Sequence, residues 1–216
     1  MSRILDRILL QPWVGKAASC LRLKPNPGFR GSQAYWEERY AKGGSSGAGS
    51  HGRLARFKAE LINDFVKTRQ IGSLIELGCG DGRQLELADY PRYLGLDVSE
   101  TAIRLCRRRF AADTSKAFCL MRAYTGEGAD LALSLDVIYH LVEDEVFEEY
   151  MTTLFQAAIR YVIIYSTNSD RNPWWRGSHV RHRHFTRWVE EHAPEWDLTR
   201  TEAGTFADFY FYERIR

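Results

Sequence analysis

The residues best suited to bind a ligand lie in one glycine-rich stretch, residues 73–82, which read SLIELGCGDG. An apolar run ends there in the carboxylate of Glu76, and glycines then alternate with other residues. This pattern predicts a strand that enters a tight turn whose backbone approaches a ligand closely. A second apolar run, YLGLD at residues 93–97, ends in the carboxylate of Asp97. Together the two runs indicate the nucleoside-binding half of a doubly wound α/β fold.

The spacing within this stretch narrows the chemistry of the ligand. Gly78, Gly80 and Gly82 do not have the G-x-G-x-x-G spacing of a dinucleotide site, and no Lys-Ser or Lys-Thr follows them as in a P-loop. Glu76 would repel a phosphate but suits an ammonium group, and helix-start amides beyond Gly80 could hold a carboxylate. Asp97 would accept hydrogen bonds from ribose hydroxyls. The residues therefore favour a ligand with an amino-acid end and a ribose end.

Composition excludes several classes of protein. With 216 residues, 44% hydrophobic and 27% charged, the chain is predicted to be a globular protein of moderate size. The net charge of +2 is too small to indicate nucleic acid or a membrane surface as a partner. The four cysteines show neither metal-binding nor redox spacing, so we expect reduced thiols and a cytoplasmic location. No apolar run approaches the roughly 20 residues that a membrane-spanning helix needs.

The N-terminal part of the chain is predicted to form a cap. Within residues 1–23, apolar side chains recur at helical spacing, which indicates a helix that packs on the rest of the protein. Weak contact with a membrane surface, a partner surface and a targeting segment are the alternatives. A short aromatic helix, residues 33–40, is expected to follow Ser32 as its N-cap. The Gly/Ser-rich residues 43–50 have the composition of loops that close over ligands.

We therefore divide the chain into a helical cap with its Gly/Ser-rich loop, residues 1–52, and a ligand-binding domain, residues 53–216. The predicted elements of this domain are a helix at 53–69, a strand at 73–77, a helix from Gly82 to Ala88, a strand at 92–97, a helix at 99–110 capped by Ser99, strands at 117–121 and 130–136, a helix at 144–160, a strand at 161–165, a helix at 185–193, and strands at 196–202 and 206–215. This order predicts an α/β fold with a doubly wound, mostly parallel, seven-stranded sheet and a C-terminal antiparallel hairpin.

Three segments carry a resemblance to a known family: residues 75–82, IELGCGDG; residues 95–99, GLDVS; and residues 133–140, LSLDVIYH. With the order of elements at the C-terminal end, they make residues 53–216 similar to class I S-adenosylmethionine-dependent methyltransferases. The resemblance implies a Rossmann-like methyltransferase fold and S-adenosylmethionine as the methyl donor. It also implies that residues 53–216 form the catalytic domain.

By this resemblance, the first motif would hold the methionine part of the cofactor, Asp97 would hold the ribose, and the loop after the fourth strand would lie beside the reactive methyl group. The expected cofactor-binding residues are Glu76, Gly78, Cys79, Gly80, Asp97, Val98, Asp136 and Val137. The chain departs from many members after the third strand, where residues 121–125 read MRAYT and lack the acidic residue that contacts adenine. Adenine is therefore expected to be held by backbone and by stacking on Tyr124.

Transfer of the methyl group to an oxygen requires a base that removes the proton of the acceptor. His140 follows the predicted fourth strand at the carboxyl edge of the sheet, where such sheets bind ligands, and imidazole titrates near neutral pH. We therefore name His140 and Asp136 as candidate catalytic residues. The alternative for His140 is a hydrogen bond and packing within its loop, without a role as base.

The acceptor is predicted to bind at the basic segment after the fifth strand, residues 172–185, which reads NPWWRGSHVRHRHF. Its side chains suit a polar or anionic acceptor, or sugar rings that stack on indole. The predicted acceptor-binding residues are Trp174, Arg176, His179, Arg181, His182 and Arg183. A solvated basic loop is one alternative. A metal site of His179, His182 and His184 is another, but no nearby acidic ligand fixes it, and we predict no metal.

The function that this resemblance implies is methyl transfer from S-adenosylmethionine to a small-molecule or glycan-type acceptor, at oxygen. The run YWEERY at residues 35–40, the Gly/Ser-rich loop and the stretch HVRHRHF at residues 179–185 also look similar to bacterial methyltransferases associated with carbohydrate or lipopolysaccharide modification. N-methylation of a protein or RNA is an alternative, although residues 136–139, DVIY, replace the Asn/Asp-Pro-Pro-Tyr motif of many RNA methylases. A single basic loop gives little support for nucleic acid as a partner. A non-catalytic binding subunit is the third interpretation, and the oligomeric state is left open.

Overall fold

The computed structural model describes residues 29–173 and 176–215, and a seven-stranded mixed sheet is its centre. The strands are β1 (Leu74–Leu77), β2 (Tyr93–Asp97), β3 (Lys116–Leu120), β4 (Ala129–Leu135), β5 (Ala158–Ser166), β6 (Trp196–Glu202) and β7 (Asp208–Arg214). They are arranged in the order β3-β2-β1-β4-β5-β7-β6, with the first five parallel and β7 antiparallel to both its neighbours. The predicted fold class is confirmed.

Helices cover both faces of the sheet. They are α1 (Ser32–Ala41), α2 (Gly52–Thr68), α3 (Glu100–Arg109), α4 (Asp144–Gln156) and α5 (Phe185–His192). The apolar sides of α4 and α5 pack on one face, and those of α2 and α3 pack on the other. The central strands β1 and β4 are nearly continuous apolar runs because both of their faces are covered. None of the helices within the described residues is long and apolar enough to span a membrane.

Two predicted helices differ from the structure. The helix predicted from Gly82 to Ala88 is wrong, because the chain forms only a short 3-10 turn at Leu85–Leu87. Gly82 has a left-handed backbone with φ of 75°, and Ala88 is already extended, so too few residues remain for an α-helix. The helix predicted to reach residue 160 ends at Gln156, because β5 begins at Ala158, where its pairing with β4 starts.

One end of α1 is attached to the loop between β4 and α4. The prediction that Ser32 caps this helix is wrong, since the N-cap is Gly31 and Ser32 is the first helical residue. The Ser32 hydroxyl lies 2.6 Å from Glu143 Oε2 and 2.8 Å from the carbonyl oxygen of His140. The Ser32 amide donates a hydrogen bond of 2.8 Å to Glu143 Oε1. These contacts join the start of α1 to the start of α4.

The middle of α1 is attached to the start of α3 by the carboxylate of Glu37. Its Oε2 accepts hydrogen bonds from the Ser99 hydroxyl at 2.6 Å and from the Thr101 amide at 3.2 Å. Its Oε1 accepts a further bond of 2.6 Å from the Thr101 hydroxyl. These hydrogen bonds hold the pKa of Glu37 below its ordinary value. Ser99 also caps α3, as predicted. Helix α1 therefore bridges the carboxyl edge of the sheet from α3 to α4.

The contacts of Glu37 predict that this residue controls the local stability of α1. A hydrogen bond to a charged group contributes about 1.5–3 kcal/mol to stability. Glu37→Ala should therefore raise the amide exchange rates of α1 by roughly tenfold or more. Glu38→Ala is the matched control, because Glu38 pairs with Arg30 and Lys42 on the exposed surface. Hydrogen exchange followed by mass spectrometry measures both variants. Equal loss of protection in the two would contradict the bridging role of Glu37.

Candidate active site

A cavity of about 970 Å³ lies at the carboxyl edge of the sheet beneath α1, and we call it the main cavity. Its walls come from the turn after β1, the end of β2 and the loop after β4. The structure brings together here all eight residues that were predicted to bind a cofactor: Glu76, Gly78, Cys79, Gly80, Asp97, Val98, Asp136 and Val137. Tyr124, predicted to stack on adenine, also lines the cavity, and its hydroxyl donates to the carbonyl of Glu127.

The glycine turn is shaped by close contacts that no other residue would allow. Gly78 and Gly80 have left-handed backbones with φ of 86° and 57°. A Cβ on Gly78 would lie 2.5 Å from the Val137 side chain, and one on Gly80 would lie 2.3 Å from the Ser46 hydroxyl. Both distances are shorter than atomic contact allows. The turn therefore requires glycine to fit between the loop after β4 and the Gly/Ser-rich segment, residues 43–50.

The amides of this turn bond within the protein. The Gly80 amide donates to Asp97 Oδ2 at 2.9 Å, and the Asp81 amide donates to the Ser46 hydroxyl at 3.0 Å. The expectation that helix-start amides beyond Gly80 hold a carboxylate is wrong, since no α-helix begins there. Asp97 Oδ1 accepts a second bond from the Ser99 amide, also at 2.9 Å. Asp97 thus holds the turn, and burial raises its pKa to about 6.

Glu76 is the second buried carboxylate of the main cavity. Only 5% of its surface is exposed, and Glu76 Oε2 accepts a hydrogen bond of 2.6 Å from the Tyr93 hydroxyl. Burial raises the pKa of Glu76 to about 7. Among the described residues no Lys or Arg forms an ion pair with Glu76 or Asp97. Two buried carboxylates without a protein cation fit a cationic ligand, and S-adenosylmethionine has both an ammonium group and a ribose.

Sequence reasoning missed Tyr40 and Ser46, which cover the glycine turn. The Ser46 hydroxyl lies 2.9 Å from Asp81 Oδ1, and the Tyr40 hydroxyl lies 3.0 Å from that of Ser46. Both residues line the main cavity, as does Trp36 on the same helix as Tyr40. The Gly/Ser-rich segment is therefore folded against the turn. Its composition indicated a loop near a ligand but did not indicate which of its residues form contacts.

A buried ion pair closes one side of the main cavity. Lys58 of α2 is 1% exposed, and its Nζ lies 2.5 Å from Asp136 Oδ2. The hydroxyl of Tyr139 donates to Asp136 Oδ1 at 2.7 Å. The backbone of Asp136 is left-handed with φ of 61°, which costs a residue with a Cβ about 1–2 kcal/mol. Sequence reasoning missed Lys58. Its position four residues after Leu54 places it on the apolar face of α2, and this placement was a signal of burial.

His140, a candidate catalytic residue, lies in the wall of the main cavity. Its Nδ1 is 3.0 Å from the carbonyl oxygen of His179, which can only accept, so Nδ1 carries the proton and Nε2 does not. The ring packs against Trp36 and His179, with centroids 4.9 and 5.4 Å away. Burial lowers the pKa of His140 to about 4. His140 is therefore neutral at neutral pH.

Two arginines of the basic segment bond to the loop after β4. Arg181 and Arg183 both pair with Asp144, at 2.9 and 2.6 Å. Arg181 also donates to the carbonyl of Val142, and Arg183 donates to those of Leu141 and Val142. These bonds hold the start of α4, and they engage all three guanidinium nitrogens of Arg183 but only Nη1 of Arg181. A role for either residue in acceptor binding stays a prediction.

The other predicted acceptor residues lie at different places. The ring of His179 stacks on Tyr35 of α1, with centroids 4.3 Å apart. The Nδ1 of His182 lies 2.7 Å from the Thr167 hydroxyl. Burial and the neighbouring Arg181 lower the pKa of Arg176. Trp174 lies outside the described residues, as do residues 1–23 with their predicted cap. Within the described part of the chain, no cluster of three side chains could hold a metal ion.

The raised pKa of Glu76 predicts that cofactor binding depends on pH. An ammonium group favours the ionised carboxylate, so binding below about pH 7 must release the proton that Glu76 holds. We expect the affinity for S-adenosylmethionine, measured by calorimetry, to fall by up to about tenfold per pH unit below pH 7. Above about pH 8 the α-amino group of the cofactor loses its own charge, and the affinity should fall again.

Glu76→Gln isolates this effect. The amide cannot ionise, so the fall in affinity below pH 7 should disappear while the affinity at neutral pH decreases. The same variant tests folding: a raised carboxyl pKa makes the native state less stable as pH rises from the unfolded value near 4.5 to about 7, and Glu76→Gln should remove this loss. Glu60→Gln, at an exposed position of α2, is the control. If the affinity of Glu76→Gln still fell below pH 7 as in the wild type, binding of the ammonium group by Glu76 would be contradicted.

Comparison with known proteins supports the family indicated by the sequence. Residues 75–159 match the model of a methyltransferase domain. The fold is similar to that of the N-methyltransferase NodS from Bradyrhizobium japonicum in complex with S-adenosyl-L-homocysteine, with a TM-score of 0.68 and 12% identity over 86% of this chain and 100% of that chain. It is also similar to magnesium protoporphyrin IX methyltransferase (ChlM) from Synechocystis with bound SAH, with a TM-score of 0.63 and 15% identity over 84% and 97%.

A third similar structure is the methyltransferase domain of bacterial CtHen1, with a TM-score of 0.62 and 18% identity over 76% of this chain and 100% of that chain. A search of curated protein sequences found no match. At these identities the solved structures show the shared fold alone. The domain match adds a methyltransferase domain over residues 75–159, and the glycine turn with its two buried carboxylates fits the cofactor. Residues 75–159 thus match a methyltransferase domain within a fold that S-adenosylmethionine-dependent methyltransferases share, and the site fits S-adenosylmethionine as the methyl donor.

Proposed function

We propose that this methyltransferase transfers the methyl group to an oxygen atom of a small-molecule or glycan-type acceptor. The observation that carries the proposal is the presence of two proton acceptors, His140 and Asp136, in the wall of the cavity that the cofactor residues line. A hydroxyl must lose its proton as it is methylated, and a group held in its unprotonated form can receive it. His140 has this form at neutral pH because burial lowers its pKa to about 4.

The residues of the main cavity would each have a defined role. Glu76 binds the ammonium group of the cofactor, Asp97 accepts from its ribose hydroxyls, and the glycine turn provides the space for its methionine part. The cofactor supplies an electrophilic methyl group when it is bound. Helix α1 covers the cavity with Trp36 and Tyr40, which excludes water and strengthens the electrostatic interactions inside. Holding the acceptor oxygen close to the methyl group supplies much of the rate.

An acceptor panel with ¹³C-methyl S-adenosylmethionine tests the proposal. Phenols, methyl glycosides and primary amines are offered to the purified protein, and carbon NMR distinguishes O-methyl from N-methyl products. We expect O-methyl products. Asp97→Ala should weaken cofactor binding at least about tenfold by calorimetry, because both the ribose acceptor and the support of the turn are lost. N-methyl products alone would refute oxygen as the acceptor atom, and equal cofactor binding by Asp97→Ala would refute the role of Asp97.

The role of His140 as base predicts a specific pH profile. Because its pKa is about 4, the fraction of unprotonated His140 is constant from about pH 6 to 8, and kcat at saturating cofactor should show no acid limb in this range. A loss of about 100-fold or more in the kcat of His140→Gln, with cofactor affinity retained, would identify His140 as the base. His192→Gln is the matched control, since His192 Nδ1 also lies 3.0 Å from a backbone carbonyl but on α5. An unchanged kcat in His140→Gln would leave Asp136 as the proton acceptor.

A further inference from the structure

A second, smaller cavity adjoins the main cavity, and we call it the side pocket. Its volume is about 220 Å³. It is lined by residues of the Gly/Ser-rich segment, α2, the ends of β4 and β5, and the turn between β6 and β7: Ala48, Gly49, Leu54, Lys58, Asp136, Tyr139, Tyr165 and Phe206. Lys58 and Asp136 also line the main cavity, so their ion pair is part of the wall of both spaces. The side pocket lies at the carboxyl edge of the sheet, where α/β folds bind ligands.

The polar groups of the side pocket are concentrated at this shared wall. The Lys58 ammonium and the Tyr139 hydroxyl each contact one oxygen of Asp136. A charged pair this deeply buried costs desolvation, and the left-handed backbone of Asp136 adds strain. Strained residues of this kind cluster at functional sites. Gly49 completes the wall, because a Cβ there would lie 2.6 Å from Asp136 Oδ2.

The remaining walls are apolar and aromatic. Leu54, the ring of Tyr165 and the ring of Phe206 face the space. The Tyr165 hydroxyl lies close to the β6–β7 turn, since a Cβ on Gly204 would be 3.0 Å from it. Phe206 is 75% exposed although it lines the pocket, so an aromatic ring lies uncovered at its mouth. A ligand in the pocket would cover this ring and gain its contact.

We propose that the side pocket binds the methyl acceptor, and that the acceptor is an aromatic ring with a hydroxyl group directed at the Lys58–Asp136 pair. This inference rests on the proposed function and specifies its substrate class. A protein cavity of about 150 Å³ holds benzene, so the side pocket has room for one six-membered ring with a substituent. A hexose has hydroxyls all around its ring and would leave several of them against Leu54, Tyr165 and Phe206 without partners.

The groups at this wall can accept the proton of the hydroxyl and donate toward its oxygen during the transfer. The bond from the aryl oxygen to the methyl carbon forms as the carbon–sulfur bond of the cofactor breaks, and the sulfur keeps the electron pair. Of the two proton acceptors of the proposed function, Asp136 lines the side pocket and His140 does not, so the hydroxyl proton passes to the carboxylate of Asp136 and then to solvent. Lys58 donates toward the oxygen as negative charge develops on it. The products are an aryl methyl ether, S-adenosylhomocysteine and one proton.

Binding of phenol to the protein saturated with S-adenosylhomocysteine tests the assignment. Ala48 is exposed at the pocket wall, so Ala48→Trp obstructs the pocket without disturbing the core. Ala112→Trp, at an exposed turn after α3, is the matched control. Calorimetry should show phenol binding to the wild type, at least about tenfold weaker binding to Ala48→Trp, and less than about twofold change in the control. All three proteins should bind S-adenosylhomocysteine equally. Phe206→Ala, also at an exposed position, should weaken phenol binding several-fold.

The outcomes separate this inference from the proposed function. No binding of phenol to the wild type, or equal binding to Ala48→Trp, would overturn the assignment of the side pocket. Tighter binding of methyl glucoside than of phenol would overturn the aromatic class and favour a sugar. Either result leaves O-methylation open, since that proposal is tested by the methyl products of the acceptor panel. Phenol binding with only N-methyl products in that panel would instead refute oxygen as the acceptor atom while the pocket remains a ring-binding site.

Discussion

The hydrogen bond from the Gly80 amide to Asp97 is the contact on which the site depends most. It joins the turn after β1 to the end of β2, and the same carboxylate also accepts from the Ser99 amide at the start of α3. One buried side chain therefore fixes two backbone segments relative to each other. Because a carboxylate with two backbone donors is held in one orientation, it also presents a fixed edge toward the main cavity. In the proposed function, the same residue would serve both the fold and ligand binding.

Helix α1 completes the site by joining elements that the sheet keeps apart. The starts of α3 and α4 are on opposite faces of the sheet, and Glu37 and Glu143 connect each of them to α1. Tyr40 and Ser46 then lie over the glycine turn, which has no Cβ to obstruct them. Helix α1 is thus held over the main cavity by hydrogen bonds to elements on both faces of the sheet. Tyr35 of α1 also stacks on His179, which connects this helix to the basic segment.

The sequence allowed a good prediction of the sheet and of the eight residues that the structure brings together around the main cavity. Those residues lie at strand ends and in one tight turn, so local spacing determines their place. The pairing of Lys58 with Asp136 was not predictable, because 78 positions separate the two residues and only the fold brings them together. The pairing of Asp144 with Arg181 was not predictable either, because the two residues are far apart in the sequence and only the fold brings them together. The helix predicted from Gly82 does not form, because the left-handed backbone of Gly82 is incompatible with the start of a helix. The division at residue 52 stays a prediction.

The two cavities differ in charge, and this difference bears on what each can bind. Glu76 and Asp97 have no ion-pair partner among the described residues, whereas Lys58 neutralises Asp136. A cationic ligand therefore gains more in the main cavity than in the side pocket. Methyl transfer removes the positive charge from the sulfonium, and the Coulomb attraction to the two carboxylates decreases with it. If Glu76 and Asp97 bind the methyl donor as proposed, they also favour release of the demethylated product, and an acceptor in the side pocket would be selected by shape and by its hydroxyl.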